Sequence, residues 1–136
     1  MNRISIRQVL AGLLVVALSG LGISAVSTNP VTSQTLLSGQ SATTAASREI
    51  GATFMNQCRE TAVYVQWSAG TSAGVVTVES ADQAGYSGTW APLATVTWSA
   101  ESSESLVQIT GVMGAIRTRI STTITGGTVT TYLMCN

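Results

Sequence analysis

The chain has 136 residues, a formal net charge of zero and 9% charged residues, which allows one domain and a tail. Arginine supplies all six positive charges, and lysine and histidine are absent. A Ser-His-Asp triad, imidazole metal ligands and a P-loop are therefore excluded. The low and balanced charge also argues against a nucleic-acid partner. Composition thus predicts no metal, no cofactor and no nucleic acid.

The first 26 residues form a hydrophobic N-terminal unit that differs from the rest of the chain. Arg3 and Arg7 precede an uncharged apolar run over residues 9–26, with small residues near its end. A positive head before a short apolar stretch is typical of a secretory signal peptide. The run of about 18 residues also reaches the lower limit for a membrane-spanning helix, and a helix buried between subunits of an assembly is a third interpretation. All three stay open, and membrane contact is expected only through residues 9–26.

Residues 27–48 are predicted to be a linker or extended arm before a folded domain over residues 49–136. Pro30 and a bias toward serine, threonine and alanine are typical of an extended spacer. Leu36 and Leu37 could hold the arm locally against the following domain. A flexible spacer is the preferred interpretation.

From residue 49 onward the sequence predicts an all-β domain. Short runs of β-branched and aromatic residues alternate with turn residues. Val63, Val65 and Trp67, for example, share one face of a strand, as expected when one face is buried. About seven such runs predict a small antiparallel β-sandwich or jelly-roll. The predicted strands are Ile50–Met55, Thr61–Trp67, Gly74–Glu79, Leu93–Trp98, Ser105–Thr110, Ala115–Thr125 and Thr128–Met134.

Gly126-Gly127 predicts a two-residue hairpin turn between the last two strands, since glycine accepts the positive φ that such a turn needs. The turn sets a register in which the isoleucines of the first strand meet apolar residues of the second on the core face. The predicted pairs are Ile124 with Val129, Thr122 with Thr131, Ile120 with Leu133 and Thr118 with Cys135, with Arg117 and Arg119 on the opposite face near Tyr132 and Met134.

The two cysteines form a possible disulfide. Cys58 precedes an early strand and Cys135 ends the last one, so they could pair if those strands are antiparallel neighbours. A closed loop of that length would add on the order of 4 kcal/mol of stability. Two buried free thiols are an equally weighted alternative. Neither cysteine has a histidine partner, so a nucleophilic role is not expected.

Four of the acidic residues come in two near pairs, Glu79 with Asp82 and Glu101 with Glu104. A glycosidase needs two carboxyl groups across a cleft, but these pairs lie in or beside turns, where acids usually solvate a loop. We therefore predict no catalytic residue and no enzymatic activity, with a small acid-pair hydrolase as the weakest alternative. Replacing any of the four acids by its amide is expected to change stability by about 0.5 kcal/mol at most.

Trp90, Tyr86, Arg117 and Arg119 are the candidate contacts with a partner or ligand. The two aromatic residues lie in a turn-like stretch, where a solvent-facing indole could bind a sugar or a neighbouring subunit. A tryptophan folded over the end of the sandwich as a plug is preferred, because tryptophan is highly buried on average. The two arginines project from one strand face and could clasp a partner carboxylate, although solubility of that face is the commoner reason for such a pair.

Several short segments together carry a family resemblance. They are a strand with a late acidic residue within residues 63–82, Gly88-Thr-Trp-Ala-Pro-Leu93, an Arg117-Thr-Arg119 strand, and the Gly126-Gly127 turn before a closing strand. Over residues 60–136 they resemble small β-sandwich domains in structural proteins of tailed bacteriophages. The resemblance implies a non-enzymatic virion protein that decorates or reinforces the capsid or tail, as a decoration, head-fibre or tail-associated component.

The same resemblance implies a homo-oligomer whose partners are copies of itself and other virion structural proteins. The alternative is a secreted or membrane-anchored bacterial surface domain for adhesion or glycan binding, in which Trp90 would contact the sugar. The two hypotheses differ in where the protein is found, because the first places it in virus particles and the second at the cell surface or outside the cell.

Overall fold

The structure, a computed structural model, describes residues 31–45, 47–111 and 113–136. The predictions for residues 1–26 and the first part of the predicted linker lie outside these ranges. The described elements are strands β1 (Thr32–Gln40) and β2 (Ile50–Gly51), helix α1 (Ala52–Met55), and strands β3 (Thr61–Trp67), β4 (Ala73–Ala81), β5 (Ala91–Thr97), β6 (Glu104–Ile109), β7 (Ala115–Thr125) and β8 (Val129–Cys135).

The strands form two four-stranded antiparallel sheets. Sheet A has the order β1-β8-β3-β6, and sheet B has the order β2-β7-β4-β5. Every pair of neighbouring strands in the two sheets is antiparallel. An all-β fold of two antiparallel sheets is therefore confirmed, as the period-two alternation predicted.

The core lies between the sheets and is filled by the alternate residues of each strand. Val63 and Val65 of β3 are fully buried, as are Val76 and Val78 of β4. Burial of each such side chain stabilises the fold by roughly 1.5–3 kcal/mol relative to exposure. The β7 and β8 contributions are Ile116, Ile120, Ile124, Val129 and Leu133, all of them 4% exposed or less.

Strand β1 corrects the prediction of a flexible spacer within residues 27–48. Residues 32–40 pair with β8 at the edge of sheet A, and Leu36 and Leu37 enter the core at 3% and 2% exposure. Two adjacent residues can both face inward because the β1–β8 register shifts between Thr35 and Leu37. This irregularity removes the strict alternation from which the other strands were predicted. The sandwich therefore extends back from residue 49 to include β1.

The prediction of a strand over Ile50–Met55 is correct only for its first two residues. Ile50 and Gly51 pair with β7, after which one helical turn begins with the Ala52 amide donating to the Gly114 carbonyl at 2.7 Å. The turn places Met55, 9% exposed, against the core. Sequence periodicity cannot separate a short buried strand from a single helical turn of similar composition.

The predicted hairpin between β7 and β8 is wrong in its pairing and correct in its faces. The two strands lie in different sheets, so the chain crosses the sandwich at Gly126-Gly127 instead of turning back along the same sheet. Ile120 and Leu133 both face the core, as predicted, but from opposite sheets. It follows that Arg117 and Arg119 do not lie near Tyr132 and Met134, because these two pairs occupy the outer faces of different sheets.

Gly126 provides a test of this crossing. Its φ is +76°, and a Cβ at this position would overlap the Gly70 carbonyl oxygen. A hairpin turn would accept asparagine, but this clash predicts that Gly126→Asn lowers the free energy of unfolding by about 2 kcal/mol. Gly39→Asn is the matched control, since Gly39 has a φ of +58° and no atom within 4 Å of the added Cβ. Urea unfolding of both variants checks this, and equal midpoints would contradict the crossing.

Candidate functional site

The candidate arginines lie on the outer face of sheet B, opposite a glutamate on the neighbouring strand. The β4–β7 register places Arg117 directly across from Glu79, and Arg119 across from Thr77. Because Val76 and Val78 of β4 point into the core, Thr77 and Glu79 must point outward. The register therefore brings one carboxylate and two guanidinium groups together.

Glu79 is buried by the two arginines although it lies on an outer face. Arg117 Nε donates to Glu79 Oε2 at 2.9 Å, and Arg119 Nε donates to Oε1 at 2.8 Å. The Glu79 side chain is only 5% exposed, whereas those of Arg117 and Arg119 are 28% and 47% exposed. Two positive charges against one negative charge leave this cluster with one surplus positive charge.

The prediction that Glu79 is a solvated turn acid is therefore wrong. Strand β4 continues to Ala81, two residues beyond its predicted end at Glu79, so Glu79 lies within the ladder and not at a strand end beside a turn. The other three acids, Asp82, Glu101 and Glu104, are exposed, as expected for acids in or beside turns. The described residues contain no cluster of three or more histidine, cysteine or acidic side chains that could hold a metal ion.

Trp90 is buried beneath Arg117. The guanidinium carbon of Arg117 lies 4.2 Å from the centre of the indole ring, within the range of a cation–π contact. The indole Nε1 donates to the Tyr86 carbonyl oxygen at 3.2 Å, and the Tyr86 ring meets the indole edge-on. Trp90 is 5% exposed, so its ring faces are closed to a ligand. The indole ring supports the guanidinium group of Arg117 from below.

A cavity of about 240 Å³ opens beside the two arginines. The segment that precedes β2 forms its other wall, where Ser47 Oγ accepts a hydrogen bond from the Thr118 amide at 3.1 Å. No acidic or aromatic side chain of the described residues lines this cavity. Its lining consists of Thr43, Ala45, Ser47, Arg117, Thr118 and Arg119.

The outer face of sheet A has a different character, since apolar and aromatic side chains lie side by side there and stay partly exposed. Tyr64 and Tyr132 lie on neighbouring strands with ring centres 6.4 Å apart. Leu106, directly across from Tyr64 on β6, is 63% exposed. Met134 extends the patch on β8, beside a shallow depression of about 350 Å³ at one end of the sheet. We call Tyr64, Leu106, Tyr132 and Met134 the apolar face.

Charge is nearly absent from the apolar face. Among the described residues that point outward from β3, β6 and β8, only Glu104 carries a charged side chain at neutral pH. A hydrogen bond from Tyr64 to this carboxylate raises the pKa of the Tyr64 hydroxyl above its ordinary value of 10.0. Sequence alternation already placed Tyr64 opposite the buried Val63 and Val65, but the neighbouring strands of the face could not be identified from the sequence.

The two cysteines form a disulfide in the structure. The condition set by the sequence is met, since β3 and β8 are antiparallel neighbours with Thr61 across from Cys135. The amides of Arg59 and Glu60 donate to the carbonyl of Asn136 and continue the pairing beyond the bond. The disulfide therefore ties the segment after α1 to the end of the last strand.

Comparisons of the chain with protein-family models, curated proteins and solved structures give no match. Within the described ranges no helix has the length and apolar character needed to cross a lipid bilayer. A function must therefore be inferred from the two outer faces and from the sequence resemblance.

Proposed function

We propose that this chain is a non-enzymatic structural protein of a bacteriophage particle, which decorates or reinforces the capsid or tail by associating with further copies of itself. The resemblance over residues 60–136 suggests the particle, and one observation supports association most directly. That observation is the apolar face of sheet A, whose Leu106 is 63% exposed and whose other members are partly exposed.

The composition of the apolar face suits a protein interface. Tyrosine and methionine are enriched at interfaces, whose centres are depleted in charge. A monomeric sandwich needs only its inner faces to be apolar, so Leu106 at 63% exposure adds nothing to folding that a polar residue would not. Among the described residues, Glu104 is the one acid at an outward ladder position and Glu60 borders the depression beside Met134, so two identical faces bring few charges together.

The size of the face indicates weak pairwise contacts. Four strands about 4.8 Å apart and about seven residues long give a face of roughly 20 by 20 Å, or about 400 Å² on each partner. The total of about 800 Å² is below the roughly 1,200–2,000 Å² that stable specific interfaces bury. Weak contacts of this kind become effective when many copies are held in a repeated array, since local concentration replaces affinity. A capsid or tail provides such an array.

Leu106→Glu should impair self-association of the full-length protein, because it places a charge at the most exposed residue of the apolar face. We expect the wild type to be oligomeric in detergent-free buffer and the variant to dissociate at least about ten-fold more readily, a change of about 1.4 kcal/mol. Sedimentation equilibrium measures both. Leu93→Glu is the matched control, because Leu93 is an exposed leucine, at 43%, on the other sheet.

Two results would contradict this proposal. One is a wild-type protein that stays monomeric at all accessible concentrations. The other is equal association of the Leu106→Glu and Leu93→Glu proteins, which would show that the apolar face is not the interface.

The disulfide supports a second candidate function, a secreted or membrane-anchored bacterial surface domain for adhesion. Disulfides persist in oxidising compartments, and the signal-like pattern of residues 1–26 agrees with export. Intact-mass measurement on purified virus particles separates the two candidates. Recovery of the uncleaved 136-residue chain from particles supports the first, and recovery only from the cell envelope or medium supports the second.

A further inference from the structure

We propose that Arg117 and Arg119 form a receptor for a carboxylate, supplied by an aspartate or glutamate side chain of a neighbouring protein. The inference rests on the proposed function in one respect, since it takes the neighbour to be another protein of the assembly. The site lies on sheet B, on the opposite side of the sandwich from the apolar face.

The hydrogen bonds to Glu79 indicate that the arginines do more than neutralise it. One guanidinium can bond both oxygens of a carboxylate through two parallel N–H groups. In this cluster two arginines are used, and each gives only its Nε–H to one oxygen. The terminal nitrogens of both guanidinium groups, which form the fork suited to a second carboxylate, have no hydrogen-bond partner among the described residues.

The two arginines are held in place before any ligand arrives. Glu79 fixes both Nε atoms, and the Trp90 ring supports the face of Arg117. Trp90 is in turn fixed through its bond to the Tyr86 carbonyl. Donors that are already oriented lose little conformational freedom on binding, which favours recognition.

Charge and space define the class of ligand. The surplus of one positive charge matches a singly charged carboxylate better than a doubly charged phosphate. Both arginines also border a cavity of about 240 Å³ on the side of the segment that precedes β2, and neither Glu79 nor Trp90 lines it. Trp90 is closed by Arg117, and no other aromatic ring of the described chain lines the cavity, so a sugar ring has no surface on which to stack. These features favour a protein carboxylate over an acidic saccharide.

The test uses the full-length protein and a small probe, N-acetyl-glutamate N-methylamide, with the glutamine analogue as its neutral counterpart. Nitrogen-15 NMR of the arginine side chains follows the titration. We expect saturable binding of the glutamate probe with shifts at Arg117 and Arg119, and binding of the glutamine probe at least five-fold weaker. Glucuronate and inorganic phosphate form two further arms of the titration.

Two variants connect the binding to the site. Arg119→Gln should weaken binding of the glutamate probe at least five-fold, and Arg119→Lys should not restore it, since lysine lacks the planar fork. Arg48→Gln is the matched control, because Arg48 is exposed and donates to Gln34 instead of Glu79. Leu106→Glu should bind the probe normally, so a failure of the apolar-face proposal stays distinguishable from a failure of this one.

Equal binding of the glutamate probe and the glutamine probe would contradict a carboxylate receptor. Unchanged binding of the glutamate probe by the Arg119→Gln protein would also contradict it. Tighter binding of glucuronate or phosphate than of the glutamate probe would overturn the assignment to a protein carboxylate. Because the arginine signals of the wild type report binding directly, the result does not depend on the stability of any variant.

Discussion

Removing the disulfide, by Cys58→Ala together with Cys135→Ala, should lower the free energy of unfolding by about 4 kcal/mol. The bond joins residues 77 positions apart, so it restricts the unfolded chain over most of the domain. It also holds the segment after α1 against the end of β8, where the amides of Arg59 and Glu60 bond to Asn136. For a domain near 100 residues, such a loss corresponds to a fall in Tm of more than about 15 °C.

Thermal and urea unfolding of the full-length protein measure this loss, and the wild type with a reducing agent is the control. Reduction should bring the wild type to the stability of the double variant and should leave the double variant unchanged. An oxidised wild type that unfolds at the same urea concentration as the double variant would show that the bond contributes nothing. A strong dependence on oxidation would also favour a protein that functions outside the cytosol.

The faces of the strands could be predicted from the sequence because burial acts on single residues. The bounds of Thr61–Trp67 and Ala115–Thr125 match β3 and β7, and their alternation identifies the core side of each strand correctly. Strand β1 escaped prediction because a bulge interrupts its alternation and most of its residues are polar. Alternation of apolar and polar residues appears in a strand because one of its faces is buried. An edge strand that buries few residues therefore shows little alternation.

Strand partners could not be predicted in the same way. A chain that turns back within one sheet and a chain that crosses to the facing sheet both place alternate residues in the core, so Ile120 and Leu133 fit either arrangement. Gly126 signalled a turn, but the choice between the two depends on the contact of that turn with Gly70, far away in sequence. The register of a strand and the sheet to which it belongs depend on contacts between segments that are far apart in the sequence.

The candidate site shows the same division. Tyr86, Trp90, Arg117 and Arg119 could be selected from their chemistry, and the structure brings all four together. Glu79, which organises them, is the last residue of the predicted strand Gly74–Glu79, so the sequence indicates an acid beside a turn, whereas β4 continues for two more residues. Its pairing spans 38 positions to Arg117 and depends on the β4–β7 register. The sequence alternation already places Glu79 on the outer face of its strand, and the missing information was that the strand of Arg117 and Arg119 is its neighbour.

Glu79→Gln should therefore be the most damaging of the amide substitutions at the acidic residues, lowering the free energy of unfolding by about 3 kcal/mol, at the lower end of the range for breaking a buried ion pair. The lower end applies because both arginines stay partly exposed and can regain water, at 28% and 47% side-chain exposure. A glutamine carbonyl can accept from one arginine, but its amide group would face the other arginine with a donor.

Glu101→Gln is the matched control, because Glu101 is exposed and a surface change of this kind alters stability by about 0.5 kcal/mol at most. Urea unfolding of the two variants at neutral pH measures the difference. Equal stability of the Glu79→Gln and Glu101→Gln proteins would mean that the Glu79 carboxylate does not hold the cluster together. It would also contradict the view that Glu79 orients the two arginines. A large loss of stability confined to Glu79→Gln would show that this buried carboxylate stabilises the fold through its two arginines, which is the arrangement that the proposed receptor requires.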